Sequence, residues 1–535
     1  MSTVPLLVLT IVNLVLCLLL GGGTRAGHLS DSVLQALSIP TLLLAITHAA
    51  SHDMSSTLRR ALLLVLAVIA IPLAQLVPLP PSIWAALPGR APLVEAFGFI
   101  GKELPWLPLT VSAHATWSSL LSLVPGLAVF LSTTQLGYHD RRRLTLALLA
   151  AGLASVFLGL LQVAQGPQSP LRFFEITNPS EAVGFFANRN HFSALLYCLL
   201  MLAAAWAVDA VHSRAELAPR FKYSGEAILP LLASFTMLVA VIAGQTIARS
   251  RAGLLLTIVA LCGAALLARP QQGSQSGQSS RATATRLIMG AVVVAVVFAV
   301  QFSLYRIAER FAADPLEDAR IFFAQNTTAA AKAYMPWGSG LGTFVPVYGM
   351  FERPETAMGN TYANRAHNDL LELWLEAGAP GLIVMALFLI WLISRALQVW
   401  WLAPGWGHRI DRDLARASTV ILALVIAHSF VDYPLRTSAM MAVFAFAAAL
   451  LVPPPGHRAH GPEPAGERNE PPERAVGPEG GSGLSRGVAW PPVSEAGAAP
   501  DQDLKAIGAP TPPGAGKRWG EAIEWPEAWR KPSDK

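Results

Sequence analysis

Five short stretches gather titratable or strongly polar side chains in a chain that is otherwise mostly apolar. In GFFANRNHFSALL, Asn188, Arg189, Asn190 and His191 stand side by side at the entrance of an apolar run. One reading is a helix start capped by Asn190, with Arg189 reaching for lipid headgroups. Four consecutive polar side chains exceed what a cap requires, so the other reading is a substrate-binding row. In AGQTIARSRAGLLL, a tight turn carries Arg249 and Arg251. Guanidinium grips phosphate oxygens bidentately, so this pair points to an anionic substrate or, equally, to lipid phosphates.

The third stretch is PLEDARIFFAQNTTAAAKAYMPWGSGLGTF. Arg320 opens an amphipathic helix pattern there, and Pro336, Gly338, Gly340 and Gly342 end it in a bent, close-packed turn. That turn lacks the Lys-Ser/Thr ending and the strand context of a nucleotide loop. The fourth, YANRAHNDLLELWLEAGAPGL, sets Arg365, His367, Asn368 and Asp369 before a short helix pattern. Asp369 reads as its N-cap, and Glu372 as the other half of a capping box. Leu370, Leu371, Trp374 and Leu375 form an apolar stripe, and Gly378 with Pro380 stops the helix. A two-turn helix lying in the membrane interface is expected, with His367 facing an outer cavity. In the fifth, HSFVDYPLR, His428 and Asp432 are four apart and share a helix face. Asp432 and Arg436 read equally well as site residues or as interface anchors. Arginines hold anions and an imidazole titrates near neutral pH, so the set suits anion binding coupled to proton transfer.

The elements that must position these groups are membrane helices. Of the 535 residues 53% are hydrophobic and only 14% charged, more apolar surface than a water-soluble fold can hide. The fold class expected is an all-α integral membrane protein of about twelve transmembrane helices. Spans fall near 4–22, 33–50, 61–77, 115–133, 144–164, 191–210, 227–247, 252–268, 287–305, 379–397, 415–432 and 436–452. Short loops carrying Arg59 and Arg60, HDRRR at 139–143, Arg214, Arg220, Lys222, Arg269, Arg281, Arg286, Arg395, Arg409, Arg412 and Arg416 alternate with loops sparser in Lys and Arg. The positive-inside rule then puts both termini in the cytoplasm and the five stretches on the outer side. The first span lacks a basic leader and a cleavage site, and reads as a retained anchor. The net charge of +5 calls for no nucleic acid. Cys17, Cys198 and Cys262 are too scattered for a metal site or a disulfide frame.

Five regions follow: 1–110, the first helices and a Pro- and Trp-rich outer loop; 111–305, central helices; 306–378, a long periplasmic loop between helices nine and ten; 379–452, the last helices; and 453–535. Within the first loop, Trp84 and Trp106 are expected at headgroup level. The tail from 453, rich in Pro, Gly, Glu and Arg, reads as a disordered cytoplasmic extension.

With these residues assembled, the chain resembles the O-antigen ligase and polymerase superfamily over roughly residues 110–450. The resemblance rests on FFANRNHFSALL, ARSRAGLLL, Arg320 followed by PWGSGLGTF, AHNDLLELWLEAGAPGL and HSFVDYPL. It implies a bacterial inner-membrane glycosyltransferase that moves a glycan from an undecaprenyl-diphosphate carrier to an acceptor at the periplasmic face. The acceptor is lipid A-core in ligases and another lipid-linked glycan in polymerases, with no metal or other cofactor. It also implies that Arg251, Arg320 and His367 are the essential residues, although this chain reads SRAG where SRG is common. Fixed cations at Arg251 and Arg320 suit a diphosphate leaving group. His367 suits the base, with His191 the alternative, and Asn188, Arg189, Asn190, His191, Arg249, Arg365, Asn368 and Asp369 would line the substrates. A twelve-helix secondary transporter is the competing class. It would put polar groups near mid-membrane in matching halves, whereas here they gather at one face.

Overall fold

The computed structural model describes residues 3–217 (26 and 28 apart), 225–268, 290, 315–354, 357, 362–402 and 407–455. Three helices open the chain: α1 (Val4–Leu20), α2 (Leu29–Ala50) and α3 (Ser56–Gln75). Ser55 starts α3 by accepting a hydrogen bond from the Leu58 amide, as a Ser N-cap should. Two short helices, α4 (Pro81–Ala85) and α5 (Ala91–Phe99), follow within an excursion. Its neck is an antiparallel pair, β1 (Pro78–Leu79) on β2 (Leu107–Pro108), with Pro78 opposite Pro108. Then come α6 (Ala113–Gln135), α7 (Tyr138–Gln165), α8 (Arg189–Leu217), α9 (Gly225–Ala248) and α10 (Arg251–Leu267). Beyond these lie α11 (Pro315–Ala333), α12 (Phe344–Tyr348), α13 (Asp369–Leu397), α14 (Arg409–His428) and α15 (Ser438–Leu450).

Six of the described helices, α2, α3, α6, α7, α8 and α13, are long and apolar enough to cross a bilayer. Shorter apolar helices cover Val4–Leu20, Leu232–Ala248, Arg251–Leu267 and Ser438–Leu450. The chain is therefore an all-α, multi-pass membrane protein. Ten of the expected spans coincide with these helices, and the one expected at 287–305 lies outside the described residues, Gly290 apart. The span expected at 415–432 falls on α14, which starts earlier, at Arg409, and stops at His428. Its charged first turns fold because their charges are paired: Arg142 clasps Asp411 through two bonds of 2.7 and 2.6 Å, and Arg416 meets Asp413 at 3.4 Å.

Helix α8 is the axis of the bundle. Of its apolar window 89% is buried, against 17% for α3, which turns Leu63, Leu66 and Leu73 outward. Around α8 pack α9, α10 and α14, and α6 holds α2 and α15 together farther out. Apolar side chains thus face both neighbours and lipid, as the bilayer solvent demands.

The two ends of the bundle differ. At one end buried arginines serve as helix caps. Arg141 donates to the carbonyls of Thr133, Thr134, Leu136 and Val452, and Arg395 donates to Leu451. These carbonyls are the orphan acceptors at the C-termini of α6 and α15. The polar stretches singled out above all lie at the opposite end. Trp84 departs from expectation there: it is 2% exposed, donates Nε1–H to the Pro108 carbonyl at 2.8 Å, and is covered by Arg90. It is the core of the excursion, whereas Trp106 is open.

Candidate active site

The site begins with a break in α13. Gly378 takes φ +56° and ψ −145°, which splits the helix into a short first piece and a long apolar second one. Breaking a helix strands carbonyls. Here the Gly-rich turn takes them up: Ser339 N–H donates to Leu375 O and Gly340 N–H to Glu376 O, while the freed Ala379 N–H donates to Pro336 O of the turn, all at 2.8–2.9 Å. Gln75, at the end of α3, closes the splice by donating to Glu376 O and accepting from Leu341 N–H. A side chain at Gly338 or Gly378 would enter the facing backbone, so glycine is needed for the close approach. The PWGSGLGTF turn is thus a structural splice onto α13.

The first piece of α13 does not follow the expected cap or the expected stripe. Asn368 is the N-cap, accepting from the Leu370 and Leu371 amides at 3.0 Å each. Asp369 and Glu372 face inward instead, and the buried face of this piece is Asp369, Glu372, Leu375 and Glu376. Carboxylates can sit there because Arg436 meets all three, at 3.5 Å from Asp369, 3.5 Å from Glu372 and 2.8 Å from Glu376. Arg365 adds a second cation at 2.7 Å from Glu372. Burial alone would lower the Arg436 guanidinium, but the carboxylates of Glu372, Glu376 and Asp369 outweigh it and raise it. Arg436, half-buried with its side chain 17% exposed, is the hub of three buried carboxyl groups and not an interface anchor.

On the His367 side of this hub the backbone is strained. His367 sits at φ +52°, in the left-handed region that a β-carbon disfavours. Bonds on either side hold it: Ala366 N–H to Glu372 Oε2, Asn368 Nδ2 to Phe430 O, and Asp369 N–H to Ser429 O. The imidazole is presented against Asp432, Nδ1 to Oδ1 at 3.3 Å. Phe323 of α11 stacks on one face of the ring at 5.9 Å, and Tyr433 meets it at 5.0 Å. Asp432 lies in the turn after α14 and is wholly buried. Burial would raise its carboxyl, but the hydrogen bond from His367 and the neighbouring His191, His367 and His428 hold it below the usual carboxylate range.

The sequence-singled residues divide by role. Asn188, not Asn190, caps α8, its side chain accepting from the Asn190 amide at 2.8 Å. Asn190 accepts from Ser250 Oγ at 2.8 Å, which ties the start of α8 to the start of α10, where Arg251 is the first residue. Arg189 is paired with buried Glu181 at 2.7 Å, so it holds the 178–189 loop and does not reach for headgroups. His191 is fully buried, edge-on to Tyr433 at 4.9 Å. Asp369, bonded to Ser429 Oγ and the Leu435 amide, and Arg365, paired with Glu372, belong to the hub. Arg320 lies one helical turn from Phe323 and does not open α11, which begins at Pro315. Its charge reaches His428. Arg249, like His367, has a positive φ, +51°. Among the described residues neither Arg249 nor Arg320 has a carboxylate partner.

Taken together these contacts form one chain, from Arg251 and Ser250 through Asn190 and His191 to Asp432, then His367, Phe323 and Arg320. Sequence reading missed the roles of Glu376, Glu181 and Tyr433. Only the i, i+3, i+7 spacing of Asp369, Glu372 and Glu376 hinted at one of them. Among the described residues no cluster of His, Cys, Asp and Glu is arranged to hold a metal ion.

A multi-pass helical membrane protein with cations and an imidazole–carboxylate pair gathered at one end is the class that fold and site define. Residues 232–386 match the family model described as O-antigen ligase, and that match supports the resemblance to the O-antigen ligase/polymerase superfamily. The match contains Arg249, Arg251, Arg320 and His367 and stops short of Asp432. No curated protein matches the chain. An enzyme of O-antigen ligase type is thereby indicated.

Proposed function

We propose that the protein transfers a glycan from an undecaprenyl-diphosphate carrier to a sugar hydroxyl at the periplasmic face of the bacterial inner membrane. It would act as an O-antigen ligase or as an O-antigen or exopolysaccharide polymerase. The acceptor hydroxyl oxygen attacks the anomeric carbon of the donor, and its proton passes to Nε2 of His367. The bond from that carbon to the diphosphate breaks, and its electron pair leaves with the lipid diphosphate. Arg251 and Arg320, with Arg249 beside them, hold the charge that develops there. Metal and nucleotide sugar have no part in this route.

The observation that carries the reading is the pairing of an accessible imidazole with a buried carboxylate. The His367 side chain is 25% exposed, the Asp432 side chain 1%. His191 is closed to solvent and so does not reach an acceptor, which supports His367 as the base. The carboxylate accepts Nδ1–H, which leaves the Nε2 lone pair for the acceptor proton. That the basic, arginine-capped end lies opposite supports a periplasmic site under the positive-inside rule.

The test is to give the purified protein an undecaprenyl-diphosphate oligosaccharide with lipid A-core or a second lipid-linked glycan as acceptor. Carrier release with a joined glycan is expected, and the attachment point assigns ligase or polymerase. If no acceptor consumes carrier while vesicles holding the protein accumulate a solute, transport replaces this reading.

A further inference from the structure

Asp432 has two carboxylate oxygens, and the base uses one. Oδ2 is buried with no hydrogen-bond donor among the described residues, 3.9 Å from Nε2 of His191. His191 is itself fully buried, and neither of its ring nitrogens has a hydrogen-bond partner there. Buried polar atoms nearly always find a partner, so orphan atoms facing each other on two elements mark a site. A separation of 3.9 Å is too long for a direct hydrogen bond but suits a single water that touches both atoms at about 2.8 Å.

We propose that His191 is a positioning residue for the transfer. Through one buried water it holds Oδ2 of Asp432, so that Oδ1 stays aimed at Nδ1 of His367. The inference rests on the reading of His367 as the base. Each neighbouring group has another place. The Tyr433 ring stands edge-on to both imidazoles and keeps them apart. His428 is tied through Nδ1 to the Tyr197 hydroxyl at 3.1 Å, and its Nε2, though also buried without a hydrogen-bond partner among the described residues, makes no ion pair with Asp432. Arg365 is occupied by Glu372, and Arg320 lies beyond, on α11. Among the described residues, His191 alone brings a free nitrogen within ion-pair distance of the free oxygen of Asp432, Nε2 at 3.9 Å. A histidine kept there for packing alone would leave its nitrogens unused, and a substrate ligand would need an opening that His191 lacks.

The test compares His191→Phe, which keeps ring volume without the nitrogens, with His191→Gln, which keeps a polar atom near Nε2. In the wild type, ¹⁵N-histidine NMR in detergent is expected to show His367 as the Nδ1–H tautomer. His191→Phe is expected to mix the tautomers, lower kcat about tenfold or more with donor KM unchanged, and add little when combined with Asp432→Asn. His191→Gln is expected to restore most of the rate and the tautomer. Should His191→Phe fold but leave tautomer and kcat as in the wild type, or act additively with Asp432→Asn, the positioning role is overturned. If His191→Phe does not fold, a His191→Gln protein with mixed tautomers overturns it equally. Full activity of His367→Gln would instead sink the base assignment, so the two failures are distinguishable.

Discussion

His367 and Asp432 meet through one contact, Nδ1 to Oδ1 at 3.3 Å, with the imidazole open and the carboxylate sealed. Sequence separates them by two helices, and the left-handed backbone at His367 is what turns the ring toward the carboxylate. A base so held should matter to the chemical step more than to donor binding. His367→Gln is expected to lower kcat by about 10² to 10⁴ with a small change in donor KM. Steady-state release of undecaprenyl diphosphate measures both. A variant that raises KM alone would make His367 a binding group.

Asp432 makes a second expectation about pH. Its carboxyl is held below the ordinary range by His367 and its histidine neighbours despite burial. A group whose native pKa is depressed stabilises the fold above its unfolded pKa, about 3.9, and loses that contribution as pH falls through the native value. The stability advantage of wild type over Asp432→Asn should therefore be fully present near about pH 7 and shrink on acidification toward about pH 3. Thermal unfolding in detergent across that range reads it. An advantage that grows in acid would reverse the sign and remove the ionised carboxylate from the argument.

How far the sequence carries toward this site depends on the range of the interactions involved. Local signals are legible: Ser55, Ser112, Ser250 and Thr437 each cap the helix that follows, and Gly378 breaks α13 where a stop was expected. Ambiguity enters where two capping residues are adjacent. Asn368 and Asp369 both suit an N-cap, and the choice is made by Arg436, more than sixty residues downstream, which draws Asp369 inward. Hydropathy trimmed the first turns of α14 because Asp411 and Asp413 look expensive in lipid, while their arginine partners remain invisible to a window. Gln75, stitched to a turn more than 260 residues away, leaves no sequence trace at all. The headgroup role expected of Trp84 failed likewise, since aromatic type alone does not say that Pro108 offers its indole a carbonyl.

Arg320 and Arg249 lack carboxylate partners among the described residues, whereas Arg189, Arg365 and Arg436 have them. Cations kept without a protein counter-ion are available to a ligand. Arg320→Ala should thus change unfolding free energy by no more than about 0.5 kcal/mol. Donor turnover, kcat/KM, should fall about a hundredfold or more, the loss expected when a transition-state donor is removed. Lysine, a point charge without the planar fork, should recover part of it. Equal losses of stability and activity would mark Arg320 as structural.

Gly378 tests the splice separately from the chemistry. At φ +56°, with the Pro336 carbonyl where a β-carbon would go, Gly378→Ala meets both backbone strain and a clash. We expect a loss of about 1–3 kcal/mol, from strain of this kind. Because the splice orients the first piece of α13, kcat should fall too. Alanine at Gly98 or Gly101, where nothing lies within reach of a new β-carbon, serves as the contrast, and Gly98, with no positive φ, should be silent. A Gly378→Ala protein as stable as the wild type would mean that the turn and α13 separate freely.

Arg436 decides whether the carboxylate hub is structural. Asp369, Glu372 and Glu376 share it, with Arg365 as the only other cation in the cluster, so two cations face three carboxyl groups among the described residues. Removing one partner of a buried ion pair leaves an uncompensated charge, and Arg436→Met should cost about 3–5 kcal/mol. The cost arises from what stays behind, so neutralising a carboxylate should return part of it. Arg436→Met with Glu376→Gln is therefore expected to be more stable than Arg436→Met alone. Glu376 is the informative partner because its other oxygen accepts the Phe344 amide, a bond that glutamine can keep. If the double variant is no better than the single one, Arg436 acts through packing, and the carboxylates of α13 are neutralised by other means.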